Sequence, residues 1–149
     1  MNLNTKTPRM TMDAAHASHA PCPCGSGEPI GTCCGPYLSG ETVAPTAEAL
    51  MRSRYSAYVC QKISYLKDTL WPKYQPGFDE AATAAWASES RWTGLKVLST
   101  SGGQTADRDG TVLFEARYLS GAKLTTHREL SRFRKKAGRW YYVEALEEK

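Results

Sequence analysis

Four of the five cysteines of this chain fall within thirteen residues, as Cys22, Cys24, Cys33 and Cys34 in the spacing C-x-C-x8-C-C. Two close pairs joined by a short loop can bring four sulfurs to one point. A soft divalent ion such as zinc takes four thiolates tetrahedrally, at about 2.3 Å each. Four thiols so close together in a reducing compartment point to a metal rather than to disulfides. Pro21, Pro23, Gly25, Gly27, Pro29, Gly31, Gly35 and Pro36 crowd the same stretch, and that density of breakers is expected to exclude regular helix or strand over residues 21–38. So short a segment has no core of its own, and zinc binding supplies on the order of 10–16 kcal/mol of apparent free energy to order it. Four protein ligands fill a tetrahedron, which makes the site structural, because a catalytic zinc keeps one position open for water. Four thiolates also suit iron. Two further readings stay open: four reduced, unligated thiols, or His16 or His19 in place of one cysteine. Cys60, at apolar spacing on a predicted helix, is expected to be a buried core thiol.

Other reactive side chains are scattered more thinly. A period of two along Lys123–Lys135 puts His127, Glu129, Ser131 and Phe133 on one strand face. Arg54 and Tyr58 are i,i+4 neighbours on the first long helix. Arg132, Arg134, Lys135, Lys136 and Arg139 place five cations around a hairpin turn. They read as a solvated hairpin that discourages edge pairing, or as a weak patch for RNA or another acidic partner. Trp86, Trp92, Trp140, Tyr141 and Tyr142 are expected in the core. Nothing matches a nucleophile–base–orienter arrangement, so the reading leans away from an enzyme.

The elements that must position these residues follow from punctuation and periodicity. With 149 residues, 41% hydrophobic and 23% charged, the chain is one ordinary globular domain's worth. The net charge of +4 permits an acidic partner without requiring one. No apolar run reaches the roughly 20 residues of a membrane span. Residues 1–20 lack the apolar stretch of a secretory signal and read as a disordered leader, which puts the protein in the cytoplasm. Thr46 should cap a helix carrying Leu50, Met51, Tyr55, Tyr58 and Val59 at helical spacing. Further helices are expected over 64–70 and 79–88, with a loop at Pro72 and Pro76-Gly77. Strands are expected over 91–99, 111–119, 123–135 and 139–145, the last two joined by a tight turn at Ala137-Gly138. Helices followed by hairpin-linked strands make an α+β fold with an antiparallel sheet.

Pro21-Cys22-Pro23-Cys24-Gly25-Ser26-Gly27 followed by Cys33-Cys34 resembles the SEC-C motif. This is the zinc knuckle of the SecA translocase tail, which contacts an export chaperone and ribosomes. The resemblance makes Cys22, Cys24, Cys33 and Cys34 the ligands and suggests docking to a protein or ribosome partner. Met51-Arg52-Ser53-Arg54-Tyr55-Ser56-Ala57-Tyr58, with Arg132-Phe133 through Gly138-Arg139-Trp140-Tyr141-Tyr142-Val143, resembles the YchJ family over roughly residues 20–146. That family implies a cone-shaped domain over 45–147, like nuclear transport factor two, scytalone dehydratase and ketosteroid isomerase. Three helices would pack on a curved sheet of about four strands, in a fold that often forms homodimers. In a cone, Arg54, Tyr58, His127 and Glu129 would line a pocket. His127 and Glu129 would then be an acid/base pair, and Arg54 would bind an anion or pair with Glu129. A small-molecule binder or enzyme is therefore the alternative to a docking module.

Overall fold

The computed structural model describes residues 18–148. In chain order it holds α1 (Gly35–Leu38), α2 (Ala47–Val59), α3 (Ile63–Asp68), α4 (Glu80–Glu89), β1 (Ser90–Gly102), β2 (Asp109–Ser120), β3 (Lys123–Lys136) and β4 (Arg139–Leu146). Short 3-10 turns occupy Ile30–Thr32 and Pro72–Gly77. The four strands form one antiparallel meander in the order β1-β2-β3-β4, as the run of hairpin signals implied.

Local chemistry sets the boundaries. Thr46 is extended and its hydroxyl accepts the Ala49 N–H at 3.0 Å, which satisfies one of the unpaired donors at the start of α2. Asp79 does the same for α4, accepting from Ala82 N–H at 2.9 Å. At the far end of α2, Gln61 N–H reaches Tyr58 O and Lys62 N–H reaches Ala57 O. These are the two bonds of a Schellman close, and they require Gln61 at φ 57°. The β3–β4 turn carries Ala137 at φ 52° and Gly138 at φ 80°. Positive φ at both central residues matches the right-handed twist of the flanking strands.

Three expectations need correction. The breakers of 21–38 do not exclude helix: α1 forms over four residues, because Pro36 sits in its first turn, where a missing N–H costs nothing. The stretch after Pro72 winds into a 3-10 turn rather than an open loop, again with proline at its start. Cys60 is exposed, not core. It is the C-cap of α2, and the left-handed Gln61 beside it turns the chain away from the buried face.

The sheet is bent by register slips in β1 at Trp92/Gly94 and Val97/Ser99, and between β3 and β4 at Arg132/Phe133; an extra residue in one strand kinks it and increases its twist. Helix α2 packs on the sheet, joining Leu50, Met51 and Tyr55 to Val112, Phe114, Ala116, Phe133 and Trp140 in one core. The core extends across the far side of α2 to Cys22, Cys24 and Cys34. Enclosed on both sides, α2 buries Ser53, Arg54 and Ser56 as well. Each finds partners, as buried polar groups must. Ser53 Oγ lies 2.8 Å from Leu50 O and 2.6 Å from the Tyr65 hydroxyl.

Candidate functional site

The knuckle is assembled by its own backbone. Cys22 N–H donates to Glu28 O at 2.9 Å, and Cys33 N–H to Ile30 O at 3.1 Å. Gly31 and Ile30 N–H groups pair with Ser18 O and Ala20 O, so the last residues of the expected leader belong to this unit; residues 1–17, with His16, lie outside the described residues. Gly25 has φ 79°, and a Cβ there would meet Leu95 O at 3.2 Å. Glycine therefore allows both the turn after Cys24 and the close approach of the knuckle to β1.

This backbone brings the Sγ atoms of Cys22, Cys24, Cys33 and Cys34 within 4.8 Å of one another. Cys24 and Cys33 sulfurs are 3.6 Å apart, close to the edge of a tetrahedron with bonds of about 2.3 Å. Cys22, Cys24 and Cys34 are buried and Cys33 is half-buried. His19 is exposed and stands outside the sulfur cluster. The four sulfurs thus fit a closed thiolate site without help from histidine.

Electrostatics also favours a cation at this point. Hydrogen bonds from Cys22 and Cys34 hold the Cys24 thiol far below its ordinary value. Cys33 is pushed up to about 11, first by burial. Cys34 is raised by its bond to Cys22 and by burial. A thiolate at Cys24 opposes ionisation of Cys33 beside it, because like charges so close repel. A divalent ion removes that obstacle and deprotonates its ligands.

Groups outside the ligand set steady the knuckle. Ser26 Oγ lies 3.1 Å from Cys33 Sγ, and Ser56 Oγ lies 3.6 Å from Cys22 Sγ. Arg52 donates through Nη1 to Cys24 O at 2.8 Å and through Nε to Glu48 at 2.9 Å. Such partners orient ligands and spread thiolate charge. Ser26 lies within the glycine-rich motif and was legible there. Arg52 and Ser56 carried no signal, because their role depends on α2 lying under the knuckle.

The second group of predicted residues also comes together. Arg54, Tyr58, His127 and Glu129 all line a cavity of about 130 Å³ between α2, α4 and the sheet, with Met51, Trp92 and Phe114 among its walls. Glu129 and His127 pair at 2.9 Å, Nε2 to Oε1. Ser131 Oγ and the Tyr142 hydroxyl donate to Glu129 Oε2 at 2.6 and 2.7 Å. Burial would raise the Glu129 carboxyl, but these three bonds outweigh it and hold it at about 2. The same contact raises His127. Glu129 is therefore ionised and fully engaged, which suits it to orienting His127 and Tyr142 rather than to taking a proton. Arg54 does not ion-pair with Glu129. Its Nη1 donates to Leu66 O at 2.9 Å and Thr69 Oγ1 at 2.7 Å, and its guanidinium stacks 4.8 Å from the Tyr142 ring centre. Tyr142 stands between the two charges, a placement that the strand face of β4 decides.

In the basic hairpin Arg132–Arg139, two of the five cations are ion-paired from within. Arg132 pairs with Glu144 and Asp109, Arg134 pairs with Asp109, and Lys135 Nζ donates to Thr105 O. Of the aromatics expected in the core, Trp140 is buried and donates to Pro45 O at 3.1 Å. Trp86 is 39% exposed and meets Tyr58 and Trp92 edge-on at the cavity mouth. Among the described residues no helix is long and apolar enough to cross a membrane.

Comparison with known proteins agrees with both parts. The family described as "YchJ, middle NTF2-like domain" matches residues 46–145. The UPF0225 protein GSU1048 of Geobacter sulfurreducens is 47% identical over 123 residues, covering 83% of this chain and 76% of its own. The solution structure of RPA3114, a SEC-C motif containing protein from Rhodopseudomonas palustris, aligns with a TM-score of 0.80 at 40% identity, over 87% of this chain and 100% of that one. The crystal structure of a SEC-C motif containing protein from Psychrobacter arcticus aligns with a TM-score of 0.76 at 33% identity, over 87% and 83% of the two chains. Knuckle, cone and relatives together place this chain in the YchJ family of SEC-C motif proteins.

Proposed function

We propose that Cys22, Cys24, Cys33 and Cys34 hold one zinc ion as a structural staple, and that the protein is a docking module for a macromolecular partner in the cytoplasm. The observation that carries the metal reading is the closed set of four sulfurs within 4.8 Å. Such a set leaves no position for a substrate or water, so the ion's part is to lock the knuckle onto α2 and β1. A surface built at that expense is read as a recognition surface, and the SEC-C likeness to the SecA tail suggests the ribosome or the protein-export machinery. Native mass spectrometry of protein purified under reducing conditions tests the first step: one zinc per chain supports it, and a metal-free folded protein overturns it. A visible thiolate absorption band would replace zinc by iron, since zinc is d10 and colourless. Salt-dependent co-sedimentation with ribosomes tests the second step.

A second reading, a small-molecule binder or enzyme, is favoured by one observation: the cavity that gathers Arg54, Tyr58, His127 and Glu129. Loss of a bound ligand in His127→Ala with little change in melting temperature would support it. A large loss of stability would mark His127 as a structural residue instead.

A further inference from the structure

The hydrogen-bond inventory of the cone cavity is lopsided. Its acidic residue, Glu129, already accepts at Oε1 from His127 and at Oε2 from Ser131 and Tyr142. Its basic residue is not matched in the same way. Arg54 keeps only 8% of its surface exposed and lines the cavity. Its Nη1 is spent on Leu66 O and Thr69 Oγ1, while Nε and Nη2 carry no hydrogen bond to any described residue, and no described carboxylate is in ion-pair contact with it. A guanidinium has five donors and does not give up its charge, and a buried charge without a close counter-charge is costly. A second wall residue tells the same story: the Trp92 indole N–H is buried and has no acceptor among the described residues. Arg54 and Trp92 are therefore the cavity residues whose nitrogen donors are unused.

The charge count gives the same sign. His127 and Glu129 pair with each other, so the positive charge of Arg54 is met only by the Tyr142 ring at 4.8 Å and, beyond it, by the more distant Glu129. The remaining walls are apolar or aromatic, from Met51, Tyr55, Tyr58, Trp92 and Phe114. At about 130 Å³ the space is well below that of a drug-sized pocket. Aromatic walls alone would also suit an amine. Arg54 repels an amine, however, and both Glu129 oxygens already accept hydrogen bonds from within the fold.

We propose that this cavity binds a small monocarboxylate, its carboxylate on Arg54 and its flat or short apolar body between Tyr58, Trp92 and Phe114. The proposal rests on the second reading above and names its ligand class. It is independent of the metal centre.

Metal-loaded, isotope-labelled protein titrated with benzoate, and with the smaller crotonate, tests it. Benzyl alcohol and benzylamine serve as shape controls, and the readout is the indole N–H signals of Trp92 and Trp86. The expected result is a saturable shift of both signals with a carboxylate and an affinity at least about 10-fold weaker for alcohol and amine, the loss expected when a charge-assisted pair is removed. Arg54→Met should abolish binding, but Arg54 also holds Leu66 and Thr69, so its loss could unfold the cone. Ala116→Val, which narrows the same cavity without touching Arg54, should therefore weaken benzoate about 10-fold, read below a melting temperature that core overpacking lowers by a few degrees. Unchanged benzoate affinity in that variant, or no shift with either carboxylate, overturns the proposal. Saturable binding of benzylamine in preference to benzoate also overturns it, yet leaves the binding cavity of the second reading standing.

Discussion

Replacing Glu129 by Gln should cost stability in a way that fades with acid. Three groups hold this carboxylate, and they lower its pKa from an ordinary 4.5 to about 2. The side chain is 15% exposed, so solvent screening is limited. A depression of that size corresponds to about 3 kcal/mol at 1.36 kcal/mol per unit. Because the folded-state value is the lower one, the contribution is complete above about pH 5. It is lost as pH falls toward about 2, with roughly 40% gone near pH 3.5. Urea unfolding followed by circular dichroism, on native protein and Glu129→Gln at several pH values, measures the difference. Thiolate protonation loosens any metal in both proteins alike, so that effect cancels in the subtraction. The gap should be widest near pH ~5–6, where Glu129 is ionised and His127 is protonated; it should shrink as pH rises through the raised His127 value and narrow steadily below pH ~4.5. A gap that stays constant from pH ~7 to ~3.5 would falsify the account, because it would mean that Glu129 titrates alike in the folded and unfolded chain.

Other consequences follow from single contacts. Cys24→Ser removes the most buried ligand and should abolish stoichiometric metal, with loss of the dispersed amide signals of residues 21–38 while those of the sheet persist. Arg52→Ala removes the bond to Cys24 O; it should cost about 1–2 kcal/mol and speed metal transfer to a chromogenic chelator, with stoichiometry unchanged. Ala137→Gly relieves a side chain held at φ 52° and should raise stability by about 1 kcal/mol in thermal unfolding, and Gln61→Gly should act in the same direction at the close of α2.

The cysteine cluster was legible because the information is local: two close cysteine pairs, with glycine and proline between them, specify a knuckle whatever lies beyond. The strands were legible for a similar reason. Period-two alternation such as Val112, Phe114 and Ala116 against Leu113, Glu115 and Arg117 fixes a face, and Gly121 and Gly138 mark the turns. Thr46 and Asp79 announced two helix starts, since a cap bonds to a residue only three positions away. What the sequence could not settle depended on neighbours distant in the chain. The short helix α1 survives among breakers because it packs beside the knuckle and α2. Cys60 leaves the core because Gln61 turns left-handed one residue later. Arg54 was read as binding an anion or pairing with Glu129; β4 inserts Tyr142 between Arg54 and Glu129 and sends the guanidinium to Leu66 and Thr69. Helical and strand periods determine which side chains share a face. Only tertiary packing decides what that face meets, and hence which buried charges are answered from within and which are left for a ligand.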